Sequence, residues 1–164
     1  MEGKDFAIEP NLAVRELARL RAFLRRHPRI ALDTSIFIYQ LEGNPRYLPV
    51  TRHVFSWLER PDSQAVTSTI TMTELLVQPY RQSDEQQVDE FYGLLSTFPN
   101  LVWIAPTLEI ADLTARLRAL HRMRTPDALQ AATALHAGAT GLITNDPVFD
   151  RVQGFETLVL DRLL

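Results

Sequence analysis

Residues 29–36 read Arg-Ile-Ala-Leu-Asp-Thr-Ser-Ile, and this stretch limits the chain to few folds. A short apolar run ends abruptly in an acid and two hydroxyls, and a second apolar run, Ile36-Phe37-Ile38-Tyr39, follows at once. The first run suits a buried strand, and Asp-Thr-Ser is an entry signal for a helix. In an open α/β sheet, an acid at the carboxyl end of the first strand faces the crevice where ligands bind. Read by itself, Asp33 serves equally well as the cap of the helix that follows.

The remaining chain repeats this alternation. Residues 1–11, with Gly3, Pro10 and mixed charge, show no period and are expected to form a loose arm. From Leu12 to His27 the pattern is helical: Leu17, Leu20 and Leu24 share one face, and Arg15, Arg19, Arg21, Arg25 and Arg26 take the others. His27-Pro28 ends it. This basic helix reads as a cover for the core or as a docking face for RNA or a partner. After the strand at 29–33 comes a short helix to about Leu41, broken by Gly43-Asn44-Pro45. A helix from Arg46 to Arg60 sets Val50, Val54, Trp57 and Leu58 at core spacing. Ala65–Ser68 is a second strand, Ile70–Tyr80 a helix stopped around Pro79, and Asp84–Phe98 a helix with Phe91, Leu94, Leu95 and Phe98 inward. Leu101–Ile104 is a third strand, Leu108–His121 a helix with Leu113, Leu117 and Leu120 inward, and Pro126–His136 another helix. Leu142–Thr144 and a weaker Thr157–Leu160 supply strands four and five. Strands separated by helices imply a parallel sheet covered on both faces.

With 164 residues the chain is long enough for one domain with a full core. It has no Cys, which excludes disulfides, zinc–thiolate sites and cysteine nucleophiles. No apolar run is long enough to span a bilayer and no signal-peptide h-region is present, so a cytoplasmic protein without membrane association is expected. The net charge of −3 hides an asymmetry: residues 1–29 carry seven basic and four acidic groups, which leaves −6 for the remainder. A negative remainder with local basic patches is compatible with a cation-filled acidic site.

Four acids sit at comparable places in the alternation. Asp33 ends the first strand, Glu74 lies early in the helix after the second, Asp127 opens the helix Thr125-Pro126-Asp127-Ala128-Leu129, and Asp146 follows the fourth strand in Thr144-Asn145-Asp146-Pro147. Each has a structural explanation: Thr71 with Glu74 as a capping box, Thr125-Pro126-Asp127 as a helix start, and Asn-Asp-Pro as a turn. In a parallel sheet, however, all four positions lie at the carboxyl edge and their side chains can converge. Clustered carboxylates repel and have raised pKa values unless a hard cation neutralises them. Mg²⁺ or Mn²⁺ held by such oxygens serves phosphoryl-transfer chemistry.

The set Leu32-Asp33-Thr34-Ser35, Thr73-Glu74-Leu75, Thr125-Pro126-Asp127-Ala128-Leu129-Gln130-Ala131-Ala132 and Thr144-Asn145-Asp146 resembles the PIN-domain ribonucleases, most of all the VapC-type toxins of bacterial toxin–antitoxin pairs. The likeness covers about residues 29–164, in the family's order. It implies a three-layer α/β/α fold with strand order 3-2-1-4-5, Mg²⁺- or Mn²⁺-dependent endoribonuclease activity, a cognate antitoxin and a homodimer. It carries over Asp33, Glu74, Asp127 and Asp146 as the catalytic and metal-binding acids, with Thr144 as the hydroxyl beside them. The chain departs from the family at residues 1–28, since members of this kind usually begin at the first strand. The expected organisation is therefore a basic helical extension over residues 1–28 and a nuclease domain over 29–164.

For the RNA itself, Arg118 and Arg122 are candidates, because like charges at i, i+4 on a helix are mildly destabilising unless a phosphate backbone lies across them. Ser35 is a third candidate contact. Tyr39 offers a ring for base stacking, whereas Trp57 and Phe149 suit the core better. His27, His53, His121 and His136 show no metal spacing. Two other functions are open. A haloacid-dehalogenase-like phosphatase also opens with Asp after strand one, but it needs a second Asp where this chain has Ser35, and Lys4 is the only lysine. A catalytically silent PIN-like binding or scaffold module would keep the fold and bind no metal.

Overall fold

The computed structural model describes residues 10–164, with side chains from Val14 onward; most of the loose arm expected at residues 1–11 lies outside the described residues. Five strands, β1 (Arg29–Leu32), β2 (Gln64–Ser68), β3 (Leu101–Ile104), β4 (Gly141–Thr144) and β5 (Glu156–Val159), form one sheet in the order β3-β2-β1-β4-β5. Every neighbouring pair is parallel, with Ala31 beside both Val66 and Leu142 at the centre. This is the order expected from the family resemblance.

Seven helices are described: α1 (Pro10–Arg26), α2 (Thr34–Glu42), α3 (Leu48–Leu58), α4 (Ile70–Arg81), α5 (Glu85–Ser96), α6 (Leu108–His121) and α7 (Thr125–His136). The alternation of side chains along each strand divides the core in two. Ile30, Leu32, Ala65 and Ile143 face one layer, where they meet Leu20, Phe23 and Leu24 of α1, Ile36 and Phe37 of α2, Val54 and Leu58 of α3 and Leu95 of α5. Ala31, Val66 and Leu142 face the other, against Ile110 and Leu117 of α6 and the alanines of α7. The result is a three-layer α/β/α sandwich. None of its described helices is long and apolar enough to cross a membrane.

The extension helix is part of this core. Leu20, Phe23 and Leu24 are almost completely buried, as expected for Leu20 and Leu24, and Phe23 adds a third anchor. Phe23 reaches β4 because position 141 is glycine: a Cβ there would lie 2.7 Å from Phe23 Cζ and 2.9 Å from His27 Cγ. Behind it, His27 bridges Thr140 Oγ1 at 2.9 Å and Glu156 at 2.6 Å, and Arg26 pairs with the same glutamate at 2.7 Å. These contacts fasten α1 to the start of β5.

Three expectations need correction. Leu94 and Leu120, read as inward-facing, are 53% and 75% exposed. Leu94 stands at the edge of the apolar stripe of α5, beside the buried Leu95, and Leu120 lies close to one turn beyond the buried Leu117 of α6. Helix α4 runs to Arg81, one residue past the expected Tyr80, with Pro79 inside its last turn. A proline in the last turn removes only one intrahelical hydrogen bond, and Pro79 is buried there. Trp57 packs against the core and Phe149 is fully buried, as read from the sequence.

Candidate functional site

Because all five strands run the same way, the residues that leave them gather along one edge. Asp33 follows β1 directly and Asp146 follows β4 by two residues, while Asp127 lies in the first turn of α7 and Glu74 just past the first turn of α4. All four acids line a single cleft of about 300 Å³, together with Thr34, Ser35, Ile38, Tyr39, Arg124 and Asn145.

Asp33 is the most tightly held. Its backbone is extended (φ −75°, ψ 157°) and its Oδ1 accepts from Thr34 N at 2.8 Å, so it does cap α2. Its Oδ2 accepts from Thr144 Oγ1 at 2.8 Å and from Ser35 Oγ at 3.3 Å. Burial first, and then the charges of Asp127 and Glu74, push its carboxyl up to about 6 against the Thr144 and Thr34 hydrogen bonds. Asp127 is also raised, by burial first and by the Asp146 charge, with Arg124 opposing. Arg124 Nε reaches Asp127 Oδ2 at 3.5 Å and is, among the described residues, the one cation on the cleft wall.

Glu74 is not the partner of a capping box. Helix α4 begins at Ile70 with Thr69 as its cap, and Thr71 is turned into the interior. There Gln130 Nε2 donates to Thr71 Oγ1 at 2.6 Å, Thr71 lies 2.8 Å from Thr67 Oγ1, and Thr67 donates to Leu32 O at 2.9 Å. Thr34 Oγ1 donates to Glu74 at 2.9 Å. Because Thr67 gives its proton to the β1 carbonyl, it accepts from Thr71, which accepts from Gln130; Thr34 Oγ1, 3.1 Å from Thr71 Oγ1 and 3.4 Å from Gln130 Nε2, links this network to Glu74. No buried side-chain polar atom among the described residues lacks a partner, and a fully satisfied buried network of this kind fixes its members in one arrangement.

Asp146 caps a short 3₁₀ helix (Pro147–Arg151) through Val148 N at 2.9 Å, and its own N–H donates to Thr144 Oγ1 at 3.0 Å. Thr144 therefore joins Asp33 to Asp146. Asn145 is held at the rim by Tyr39 OH at 3.0 Å and by Asp161 N at 2.9 Å, and Tyr39 stacks on Tyr47 with ring centroids 4.1 Å apart.

The structure thus brings together Asp33, Glu74, Asp127, Asp146, Thr144 and Ser35. It does not bring Arg118 and Arg122 into the cleft. Helix α6 ends at His121, and Arg122 is its cap in the left-handed region (φ 54°), so the pair does not share a helix face. Arg118 Nε donates to Met123 O at 3.2 Å. The residues that the sequence reading missed are Arg124, Thr34, Thr71 and Gln130. A signal existed for Gln130, which stands three positions after Asp127 and so shares its face of α7.

An oxygen-only donor set fits a hard divalent cation. Among the described residues no three acidic or imidazole groups are drawn close enough to enclose an ion by themselves. Mg²⁺ does not require such an enclosure, since it keeps several of its waters and takes one or two carboxylates directly.

The comparisons with known proteins agree with this geometry. The family model of the PIN domain matches residues 30–154. No curated protein matches the chain. Among solved structures, DNA-bound VapBC from Salmonella typhimurium superposes with a TM-score of 0.64 at 23% identity, over 80% of this chain and 98% of that one. VapBC2 from Rickettsia felis, bound to a promoter fragment, gives 0.65 at 18% identity over 80% and 98%. VapBC-1 from nontypeable Haemophilus influenzae gives 0.63 at 22% identity over 81% and 98%. At these identities the likeness concerns the fold, but the family model covers well over half of the chain, and the chain belongs to the PIN-domain family.

Proposed function

We propose that this protein is a divalent-metal-dependent endoribonuclease and the toxin of a toxin–antitoxin pair. The observation that supports it most is the gathering of Asp33, Glu74, Asp127 and Asp146 in one cleft, with the Asp33 carboxyl pushed up to about 6. Acids so placed are costly unless a cation is present, and a fold that retains them at its ligand-binding edge uses them.

Asp33, Glu74, Asp127 and Asp146 would hold Mg²⁺ or Mn²⁺. When bound, such an ion polarises a phosphodiester, lowers the pKa of water and steadies the leaving oxygen. The other residues of the cleft act on the acids and the RNA. Thr144 holds Asp33 and Asp146 at a fixed separation by its two hydrogen bonds, and Thr34 orients Glu74. Ser35 and Arg124 stand on the cleft wall where the RNA phosphate would lie, with Arg124 drawn from Asp127 to the phosphate. Arg118 and Arg122 would meet the strand only beyond the scissile segment.

Residues 29–164 are the nuclease unit and residues 1–28 its extension. The likeness to a toxin–antitoxin complex from Klebsiella pneumoniae supports a protein antitoxin as partner, and the cytoplasm is the expected place of action and a homodimer the expected assembly. The test is cleavage of RNA with Mg²⁺ or Mn²⁺, with EDTA, and by the Asp33→Asn and Asp127→Asn variants. Metal-dependent cleavage lost in both variants is expected, and undiminished cleavage by both would end the assignment. That no three acidic or imidazole groups among the described residues enclose an ion by themselves favours one other reading, a silent PIN-like binding module. It predicts neither cleavage nor metal binding in the wild type.

A further inference from the structure

The basic helix α1 forms a second cleft that the acidic site does not use. Between α1 and α3 lies a pocket of about 430 Å³ lined by Arg21, Arg25, His53, Ser56, Trp57 and Arg60, with no acidic residue in its wall. Arg21 and Arg25 are i, i+4 on one face of α1, a like-charge pair that is unfavourable unless an anion lies across it. Arg26 and Arg19 turn elsewhere, to Glu156 and to the Arg162 carbonyl. None of Arg21, Arg25 and Arg60 has a carboxylate partner among the described residues. His53 is held below its ordinary range, by burial first and by the Arg21 charge second, which marks a positive field inside the pocket.

The position is as informative as the composition. Helix α1 leads into β1 at Arg29, and Arg60 stands just before β2 at Gln64, so the pocket lies toward the amino edge of the sheet. The acidic cleft is at the carboxyl edge, about 15 Å away by the length of a four- or five-residue strand at about 3.3 Å per residue. A ligand in the basic pocket is therefore not the segment being cut. The pocket combines three guanidinium groups with a partly exposed indole, Trp57. Guanidinium forks recognise phosphate, and an indole face stacks on any base.

We infer that Arg21, Arg25, Arg60 and Trp57 form an exosite for single-stranded RNA, which anchors the substrate remote from the acidic cleft. The inference rests on the proposed ribonuclease reading for its choice of RNA over other polyanions. The three arginines clamp successive phosphates and Trp57 takes a base between them.

The test separates the two readings. Binding of a 20-nucleotide single-stranded RNA of mixed sequence is measured in EDTA over a range of salt, so that no cleavage intervenes. For the full chain carrying Arg21→Ala, Arg25→Ala and Arg60→Ala, the slope of log affinity against log salt is expected to fall by about 2, at about 0.7 per phosphate contact. The corresponding triple lysine variant should restore most of the slope, which excludes loss of folding as the cause. With Mn²⁺, cleavage of a dinucleotide reporter by the alanine variant should stay within about twofold of wild type, while cleavage of the long RNA at low concentration falls about tenfold or more. An unchanged slope overturns the exosite, as does a wild type that binds no RNA. Loss of binding to a polyglutamate peptide with RNA binding intact would also overturn it, in favour of an acidic protein segment. A wild type that binds RNA with the expected slope but cuts nothing leaves the exosite standing and sinks the ribonuclease reading.

Discussion

The acidic cleft and the basic pocket sit at opposite edges of one parallel sheet, and they are built in opposite ways. In the acidic cleft the charged groups are pinned, and Asp33 and Asp127 are also drawn away from water: Asp33 is held by Thr34, Ser35 and Thr144, Glu74 by Thr34, and Asp146 by Val148. In the basic pocket Arg21, Arg25 and Arg60 are exposed and carry no ion pairs among the described residues. The difference is what the two chemistries require. A cation site that handles a reacting phosphate needs its oxygens fixed before the ion arrives. A surface that holds a flexible strand by charge needs long side chains that can follow it. Desolvated acids are costly to the fold, solvated arginines nearly free, so the two regions respond to different perturbations.

The largest effect is expected where the basic helix meets the core. Phe23→Ala removes a ring that is 1% exposed and should cost about 3–5 kcal/mol in urea denaturation. A cost below about 1 kcal/mol would show that α1 only rests on the sheet and that the pocket it forms is not a fixed feature. Next comes catalysis. Asp33→Asn or Asp127→Asn should lower metal-dependent RNA cleavage by at least about 100-fold, whereas Arg21→Ala with Arg25→Ala should spare cleavage of a dinucleotide. If the arginine pair mattered as much as the acids for that minimal substrate, the two regions would be one site.

The network beneath the acids comes third. Thr71→Val leaves Gln130 Nε2 without its 2.6 Å acceptor and Thr67 without its neighbour, for about 1–3 kcal/mol of stability. Cleavage should fall with it, because Thr34 and Glu74 lose their backing. Normal stability with impaired cleavage would mean that the network serves the site alone.

The smallest effect concerns pH. The Asp33 carboxyl is raised from 3.8 to about 6 in the folded protein. Its contribution to stability is therefore complete below about pH 4 and is lost as the pH climbs through 6. In EDTA, Asp33→Asn should match wild type at pH 4 and exceed it in stability at pH 8, as the ionised acid is removed. An Asn variant less stable than wild type at pH 8 would show that the hydrogen bonds from Thr34 and Thr144 outweigh the burial of the charge.

How much of this was legible in the sequence follows from the range of the forces involved. The four acids could be picked out because each stands beside a strand end or helix start that announces itself locally: Leu32 before Asp33, Pro126 before Asp127, Thr144 before Asp146. The elements were readable from their periods, although the strand order came only with the family resemblance. What the sequence concealed was settled by tertiary packing. Leu94 and Leu120 keep helical apolar spacing yet are exposed. Thr71 has the spacing of a cap to Glu74 but is drawn inward by Gln130, 59 residues further on. Arg122 has helical spacing from Arg118 but sits in the left-handed turn that ends α6. The covering role of α1 was legible in Leu20 and Leu24, but the pocket it forms was not, since nothing near residue 21 announces that α3 will bring Trp57 and Arg60 beside it.

The central claim, that the acidic cleft holds a divalent cation, is tested most directly by titrating Mn²⁺ into the protein at pH 7.5 and following the six-line resonance of the free ion. Wild type should remove Mn²⁺ from solution, with an affinity that rises as the pH climbs through 6 and Asp33 loses its proton, and Asp33→Asn should weaken binding by about tenfold or more. Equal Mn²⁺ binding by wild type and Asp33→Asn, or none by either, would contradict it.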